Sequence, residues 1–403
     1  MPKLEIVPSS PEIVLVVDDD PAIRLGLSYS LERPGRMIVA CPDIESAQLM
    51  VETMPVSAVV ADVRLEFGYE GLDFVRWMRA SFPAVRAILM SGQATAAMAR
   101  EAVARGAVAL LRKPFSSSEV EELLIPPPGG RSSGAPASLV DVPSFDEILA
   151  PGSLDAVFLP IIRAGLEERS IFAFEALTRY ASQSPFRNPE LLFRYADRKS
   201  RLDDLQMACL ARSVSEGNAL ARHGLLFINV HPRTLSAGEQ FAERFLRIAA
   251  VGGVAAERIV VEITEQGGIE DLRSAMEAIE ALRASGVRFA FDDVGIAYSH
   301  LMHIDRIRPS FLKVSQHFGS SFERDESRTK IVRNIAALAA DFGCEVILEG
   351  VETLETMAAA RELGITLMQG FVFGRPAKAG DLLASGLQWM AAETVDGSMR
   401  LER

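Results

Sequence analysis

The sequence predicts an α/β chain of two folded parts, a doubly wound parallel sheet followed by a (β/α)8 barrel. Three observations predict it. Short apolar runs alternate with amphipathic stretches from Ile13 to about residue 124, the pattern of parallel strands joined by helical crossovers. A stretch dominated by Pro, Gly and Ser, IPPPGGRSSGAPAS at residues 125–138, interrupts that pattern, and such composition favours an extended connection between separately folded units. Eight further apolar runs then recur, several of them separated by helical patterns, over a length typical of an eight-stranded barrel.

The first part reads, in order, as the strand IVLVV, a helix after Pro21, the strand MIVA, a helix after Asp43, SAVVA, a helix near Leu72, RAILM, a helix near Met98, and VALL. These five strand and helix units place a doubly wound sheet over residues 1–124, with a connection over 125–142. The barrel strands are AVFLPII, IFAFEAL, LLFINV, RIVVEIT, VRFAFDD, FLKV, EVILEG and LMQGFVF, with helical patterns such as DLRSAMEAIEALRAS between them. They place the barrel over 143–393, followed by a tail over 394–403.

Composition agrees with two globular cores. The chain has 403 residues, 49% hydrophobic and 24% charged, more than one core usually organises and too apolar for disorder. A net charge of −12 disfavours a nucleic-acid surface, which needs a concentrated basic face, so no DNA partner is expected. Cys41, Cys209 and Cys344 lie far apart without metal-ligand spacing and read as buried free thiols. The N-terminus lacks a signal-peptide core, and no run approaches the roughly 20 apolar residues that span a bilayer. A cytoplasmic protein without membrane attachment is expected.

In the first part Asp18 and Asp19 follow the first strand and Asp62 follows the third, so a parallel sheet brings three carboxylates to its C-terminal edge. Three carboxylates suit Mg²⁺, which offsets the charge of an incoming phosphoryl group. Ser91 after the fourth strand and Lys113 after the fifth would supply a hydroxyl and an ammonium to that group. The arrangement resembles the flavodoxin-like receiver domain of two-component response regulators over residues 12–124. The resemblance implies that Asp62 is the phosphoryl acceptor, that Lys113-Pro114 is a cis peptide, and that a sensor histidine kinase is the partner. Arg64-Leu65 stands where the family usually has Met-Pro, and Leu110 where it often has an aromatic residue.

In the second part Glu175, Asn229, Glu262, Asp292, Lys313, Glu349 and Gln369 each end or follow an apolar run, and that face of a barrel carries chemistry. The motifs EAL at 175–177, FINV, VEITE, FDD, LKV, EGVE and MQGF follow one another in order. They resemble the TIM-barrel-like EAL domain, a cyclic di-GMP phosphodiesterase, over about residues 150–390. The resemblance implies hydrolysis of cyclic di-GMP to linear pGpG. It assigns Glu175, Asn229, Glu262 and Asp292 to a first metal ion, and Asp292, Asp293 and Glu349 to a second. Lys313 would orient the attacking water and Glu349 would be general base, with Arg179 and Gln369 at the substrate and Glu265 and Glu352 bracing a loop. EAL domains commonly pair through the region after the fifth strand, so a homodimer or higher oligomer is expected.

Chemistry supports that reading, because cleaving a phosphodiester requires neutralised phosphoryl oxygens and a deprotonated water, which two metal ions about 4 Å apart supply. Carboxylate and amide oxygens suit Mg²⁺ or Mn²⁺, and the absence of a His or Cys cluster argues against zinc. Three positions depart from the family: Val294-Gly295-Ile296-Ala297 in the loop after FDD, Ser315 two residues after Lys313, and Leu159 before Pro160. They define the competing reading, a barrel that binds cyclic di-GMP and signals through a protein partner without hydrolysis.

Overall fold

The computed structural model describes residues 11–65, 68–124, 137–165, 169–180, 184–264, 271–295 and 303–385. The chain divides into two compact units, residues 1–153 with 180–201, and residues 154–179 with 202–403.

Unit 1 contains β1 (Glu12–Val17), α1 (Pro21–Ser30), β2 (Arg36–Cys41), α2 (Ile44–Thr53), β3 (Val56–Asp62), α3 (Glu70–Ser81), β4 (Arg86–Ser91), α4 (Ala96–Arg105), β5 (Ala109–Arg112) and α5 (Ser117–Leu124). The five expected strands form one parallel sheet in the order β5-β4-β3-β1-β2, which reverses direction at β1/β3 and opens a crevice at its C-terminal edge. Local sequence sets the helix starts. Asp20 accepts from the Ala22 amide ahead of α1 and Asp43 accepts from the Ser46 amide ahead of α2, while Pro21 occupies the first turn of α1, where a missing N–H costs nothing.

Two pieces of sequence extend unit 1 beyond the expected boundary. β6 (Ser138–Asp141) adds a sixth parallel strand beside β2, so the connection expected over 125–142 ends in sheet structure. The alternation Ser138-Leu139-Val140-Asp141 is short, yet Leu139 packs on the core of Val14, Val16 and Ile38, and an edge strand there satisfies the backbone groups of β2. α6 (Phe145–Leu149) follows, capped by a Ser144–Glu147 capping box. The second piece is α7 (Pro189–Arg198), drawn from the range expected to be barrel. Its Arg198 grips both carboxylate oxygens of Glu52 on α2 at 2.7 and 2.6 Å, and the Tyr195 hydroxyl donates to Asp43 at 2.5 Å. Tyr195 is buried and stacks on Phe186.

Unit 2 contains β7 (Leu154–Ala164), β8 (Arg169–Tyr180), α8 (Leu202–Gly217), β9 (Leu225–Val230), α9 (Glu239–Val251), β10 (Ile259–Thr264), α10 (Leu272–Ala284) and β11 (Arg288–Val294). It continues with α11 (Ile304–Ile307), β12 (Phe311–Val314), α12 (Gln316–Gly319), α13 (Glu326–Phe342), β13 (Glu345–Leu348), α14 (Leu354–Glu362), β14 (Leu367–Gln369) and α15 (Ala379–Ala384). All eight expected strands close into a barrel. From β8 round to β14 the pairs are parallel, whereas β7 runs antiparallel to β14. The barrel therefore opens with a reversed strand where a repeated strand–helix unit would place a parallel one.

Strand alternation sorts the side chains into two cores. Ile161, Ala173, Phe227, Val260, Ala290, Phe311, Ile347 and Leu367 fill the interior, at least one from each strand, as in a packed barrel. Their neighbours, among them Phe174, Ile228, Val261, Leu312 and Leu348, point outward onto Leu210, Phe245, Ile279 and Val332 of the helices. No described helix is long and apolar enough to cross a membrane.

Candidate active site

The interior core dictates where the polar groups of the barrel must lie. Side chains two residues apart on a strand share a face, and Glu175, Asn229, Glu262, Asp292, Lys313, Glu349 and Gln369 each follow an interior core residue by two: Ala173, Phe227, Val260, Ala290, Phe311, Ile347 and Leu367. They form the next inward layer: six lie within two residues of a strand's C-terminal end, and Glu175 lies where β8 stops pairing with β9. On the reversed β7 the same layer falls two residues before Ile161, at Leu159, which lines a cleft with Glu175, Glu349, Glu352 and Gln369. Seven members of the ring are polar and the eighth is a leucine.

Lys313 sits at the centre of that ring, fully buried. Its Nζ lies 2.8 Å from Glu262, 2.8 Å from Glu349, 3.2 Å from Asp292 and 3.3 Å from Glu175. Burial alone would lower the lysine pKa, but the four carboxylates outweigh it and hold the ammonium charged, well above its ordinary value. One cation cannot serve four anions. Burial pushes Glu262 well above the carboxylate range, raises Asp292, and raises Glu349 to about 8. Glu175 is held low despite its burial, because Lys313 and the side-chain amides of Gln369 and Asn229 favour its charge.

A bulge places the adjacent aspartates. Phe291 pairs with Leu312 and Val294 with Val314, so Asp292 and Asp293 together oppose the single residue Lys313, as in a β-bulge. Asp293 takes φ +56°, a left-handed conformation that aspartate tolerates better than most residues. The Arg179 guanidinium, half-buried, donates to the Thr178 carbonyl at 2.9 Å and is lowered in pKa chiefly by burial. Glu352 is exposed at the rim of the cleft. Glu265, Ile296 and Ala297 lie outside the described residues.

The donor set fits hard divalent cations. Oε2 of Glu262 and Oε1 of Gln369 are buried without a hydrogen-bond partner, and an orphaned buried oxygen costs several kcal/mol unless something neutralises it. Among the described residues no three acidic, His or Cys side chains already converge with ligating geometry. The carboxylates converge on the Lys313 ammonium instead.

In unit 1, Asp18, Asp62 and Lys113 meet at the sheet edge. Lys113 Nζ lies 2.6 Å from Asp18 Oδ2 and 2.5 Å from Asp62 Oδ2. Burial opposes its charge, and the hydrogen bonds to the two aspartates prevail and raise its pKa, while burial raises Asp18. Asp19 is exposed beside Asp18, and Ser91 is buried at the end of β4, where its hydroxyl accepts from the Gln93 amide. The Lys113-Pro114 bond is cis, as expected. Sequence reasoning missed one residue: Gln206 of α8, 1% exposed, which hydrogen-bonds the backbone on both sides of Val230. Its signal was a lone amide within the apolar run LQMACLA.

A doubly wound domain with an Asp-Asp-Lys cluster at its sheet edge, joined to a barrel with a carboxylate ring around a lysine, defines a receiver-linked barrel protein. The chain belongs to the EAL domain family, whose model matches residues 145–376, and residues 14–125 match the response regulator receiver domain. The chain is 27% identical over 380 residues to the cyclic di-GMP phosphodiesterase RocR of Pseudomonas aeruginosa, covering 90% of this chain and 95% of RocR. It is 30% identical over 154 residues to the probable cyclic di-GMP phosphodiesterase PdeA of Escherichia coli, covering 38% of this chain and 21% of PdeA. Among solved structures, the manganese and cyclic di-GMP complex of Klebsiella pneumoniae BlrP1 is 27% identical with a TM-score of 0.50, covering 56% of this chain and 57% of that one.

Proposed function

We propose that the barrel hydrolyses cyclic di-GMP to linear pGpG with two divalent cations, Mg²⁺ or Mn²⁺, and that phosphoryl transfer to Asp62 regulates it. The observation that carries this reading is the ring of Glu175, Glu262, Asp292 and Glu349 around Lys313, with Asn229 bonded to Glu175, in a chain aligned with RocR over nearly its whole length. Glu175, Asn229, Glu262 and Asp292 would hold one cation, and Asp292, Asp293 and Glu349 the other. When bound, the cations neutralise phosphoryl oxygens and make a water acidic enough to lose its proton near neutral pH.

The remaining work falls to this chain's side chains. Glu349 takes the proton of the attacking water as its oxygen bonds to phosphorus, the P–O3′ bond breaks, and the released alkoxide is protonated from solvent. The Lys313 ammonium orients that water and stabilises charge developing on the phosphoryl oxygens. Arg179 and Gln369 flank the bound nucleotide, and Glu265 and Glu352 brace the loop after the fifth barrel strand. In unit 1, Asp18, Asp19 and Asp62 would hold Mg²⁺, a sensor histidine kinase would supply the phosphoryl group to Asp62, and Ser91 and Lys113 would contact it afterwards. Residues 1–124 act as receiver and 143–393 as EAL domain, in a homodimer or higher oligomer.

Glu175→Ala and Asp292→Ala test the assignment, because each removes one of the four carboxylates around Lys313 and leaves the apolar layer of the barrel untouched. Loss of pGpG formation with unfolding transitions near wild type is expected. Near-wild-type hydrolysis in both variants would overturn it.

A further inference from the structure

Gln206 is a fully buried amide whose two polar atoms are both committed to the end of one strand. Its Nε2 donates to the Asn229 carbonyl at 3.0 Å, and its Oε1 accepts the His231 amide at 2.9 Å. β9 pairs with β8 only as far as Ile228, opposite Ala176. The next backbone groups would be left without a strand partner at that edge, and the Gln206 side chain offers the donor and acceptor that a strand would offer. The Asn229 side chain in turn donates from Nδ2 to Glu175 Oε1 at 3.2 Å. Beyond His231 the chain turns into Pro232–Ala237, where the Thr234 hydroxyl and amide both bond the His231 carbonyl. Without Gln206, this strand end keeps only its pairing with β10, Asn229 opposite Glu262 and Val230 opposite Ile263, and the carboxamide is held less tightly against Glu175.

We propose that Gln206 is a positioning residue for the metal-binding edge of the barrel, acting through the Asn229 backbone to hold its carboxamide oxygen where a cation also bound by Glu175 would lie. The inference deepens the proposed function and rests on Asn229 being a ligand. Nothing about packing demands an amide at this position, because the neighbours of Gln206 on the buried face of α8 are Leu202, Leu205, Cys209 and Leu210. An apolar residue of similar size would fill the space. What it would not supply is the pair of hydrogen bonds.

The test is Mn²⁺ binding to the full chain, measured by the loss of the free-ion electron paramagnetic signal in a background carrying Asp18→Ala and Asp62→Ala to silence the unit 1 site, with Gln206 and Asn229 unchanged (the wild-type barrel), Gln206→Leu, Asn229→Ala and the double variant. Residues that orient a ligand typically matter about tenfold or more in metal affinity. The expected result is about tenfold weaker Mn²⁺ binding in Gln206→Leu, and a double variant no weaker than Asn229→Ala alone, because the glutamine acts through that asparagine. Gln206→Glu, which keeps the acceptor for the His231 amide and removes the donor to the Asn229 carbonyl, is expected to weaken binding as well and stands in if the leucine variant does not fold. Wild-type affinity in a folded Gln206 variant overturns the inference while leaving the proposed function standing. So does further loss in the double variant, which would show an effect spread beyond Asn229. Absence of Mn²⁺ binding by wild type overturns both readings together.

Discussion

Four carboxylates share the Lys313 ammonium, so three negative charges have no partner when all four are ionised. The site answers with protons: Glu262, Asp292 and Glu349 all hold theirs to higher pH than usual because they are desolvated. Divalent cations need the ionised forms, so binding must displace protons and tighten with pH. Mn²⁺ affinity is expected to rise between pH 6 and 8 with proton uptake by the buffer, read by calorimetry in buffers of different ionisation enthalpy. Affinity independent of pH would contradict this. The same shift has a stability consequence. Between about pH 4.5, where the unfolded carboxyl titrates, and about 8, folded Glu349 keeps a proton the unfolded chain has lost. Stability therefore falls as pH rises through that window. In chelator, the melting temperature of wild type should drop more from pH 5 to pH 8 than that of Glu349→Gln, whose side chain does not titrate.

Close backbone approaches at two glycines hold the strand ends in register. A Cβ on Gly319 of α12 would lie 2.0 Å from the Glu349 carbonyl oxygen, and one on Gly370 would lie 2.2 Å from the Val351 carbonyl oxygen. The segment carrying Glu349 is thus packed between α12 and the end of β14. Gly319→Ala should cost about 1–3 kcal/mol, as overpacked sites do, and also lower turnover, whereas Gly343→Ala, which meets open space at φ +69°, should cost about 1–2 kcal/mol for its left-handed conformation and leave turnover unchanged. Denaturant unfolding beside the hydrolysis rate checks both. The elements themselves were legible from their apolar runs, and the site residues from the polar group ending each run. Strand direction was not: AVFLPII carries the same alternation whichever way β7 runs, and its reversal depends on pairing with β14. The bulge at Asp292-Asp293 was hidden for the same reason, because it exists only relative to Lys313. Gln206 escaped because buried apolar runs tolerate single amides.

At the scale of the molecule, the sequence suggested a cut between the two parts at the Pro/Gly/Ser stretch, and the cut is not so clean. Residues 180–201 belong to unit 1 although in sequence they join β8, which bears Glu175, to α8, which bears Gln206. No local signal marks this, since PELLFRYADR reads as an ordinary amphipathic helix and its Arg194, Tyr195 and Arg198 reveal their partners Asp43 and Glu52 only in the folded chain. If phosphorylation of Asp62 regulates hydrolysis, acetyl-phosphate-treated wild type should differ in rate from Asp62→Ala, with a shift in oligomeric state by light scattering. Tyr195→Phe with Arg198→Ala should shrink that difference, because they loosen α7 from α2. Equal rates for wild type and Asp62→Ala, with phosphorylation confirmed by mass spectrometry, would contradict control of this kind.

Hydrolysis itself is tested most directly by incubating the full chain with cyclic di-GMP and Mn²⁺ and separating the nucleotides by chromatography, with a chelator control. pGpG is expected in the metal-containing sample, none with chelator, and bound substrate without turnover in Glu349→Gln. Intact cyclic di-GMP recovered from wild type, retained on the protein but never opened, would contradict it and identify the barrel as a binding module instead.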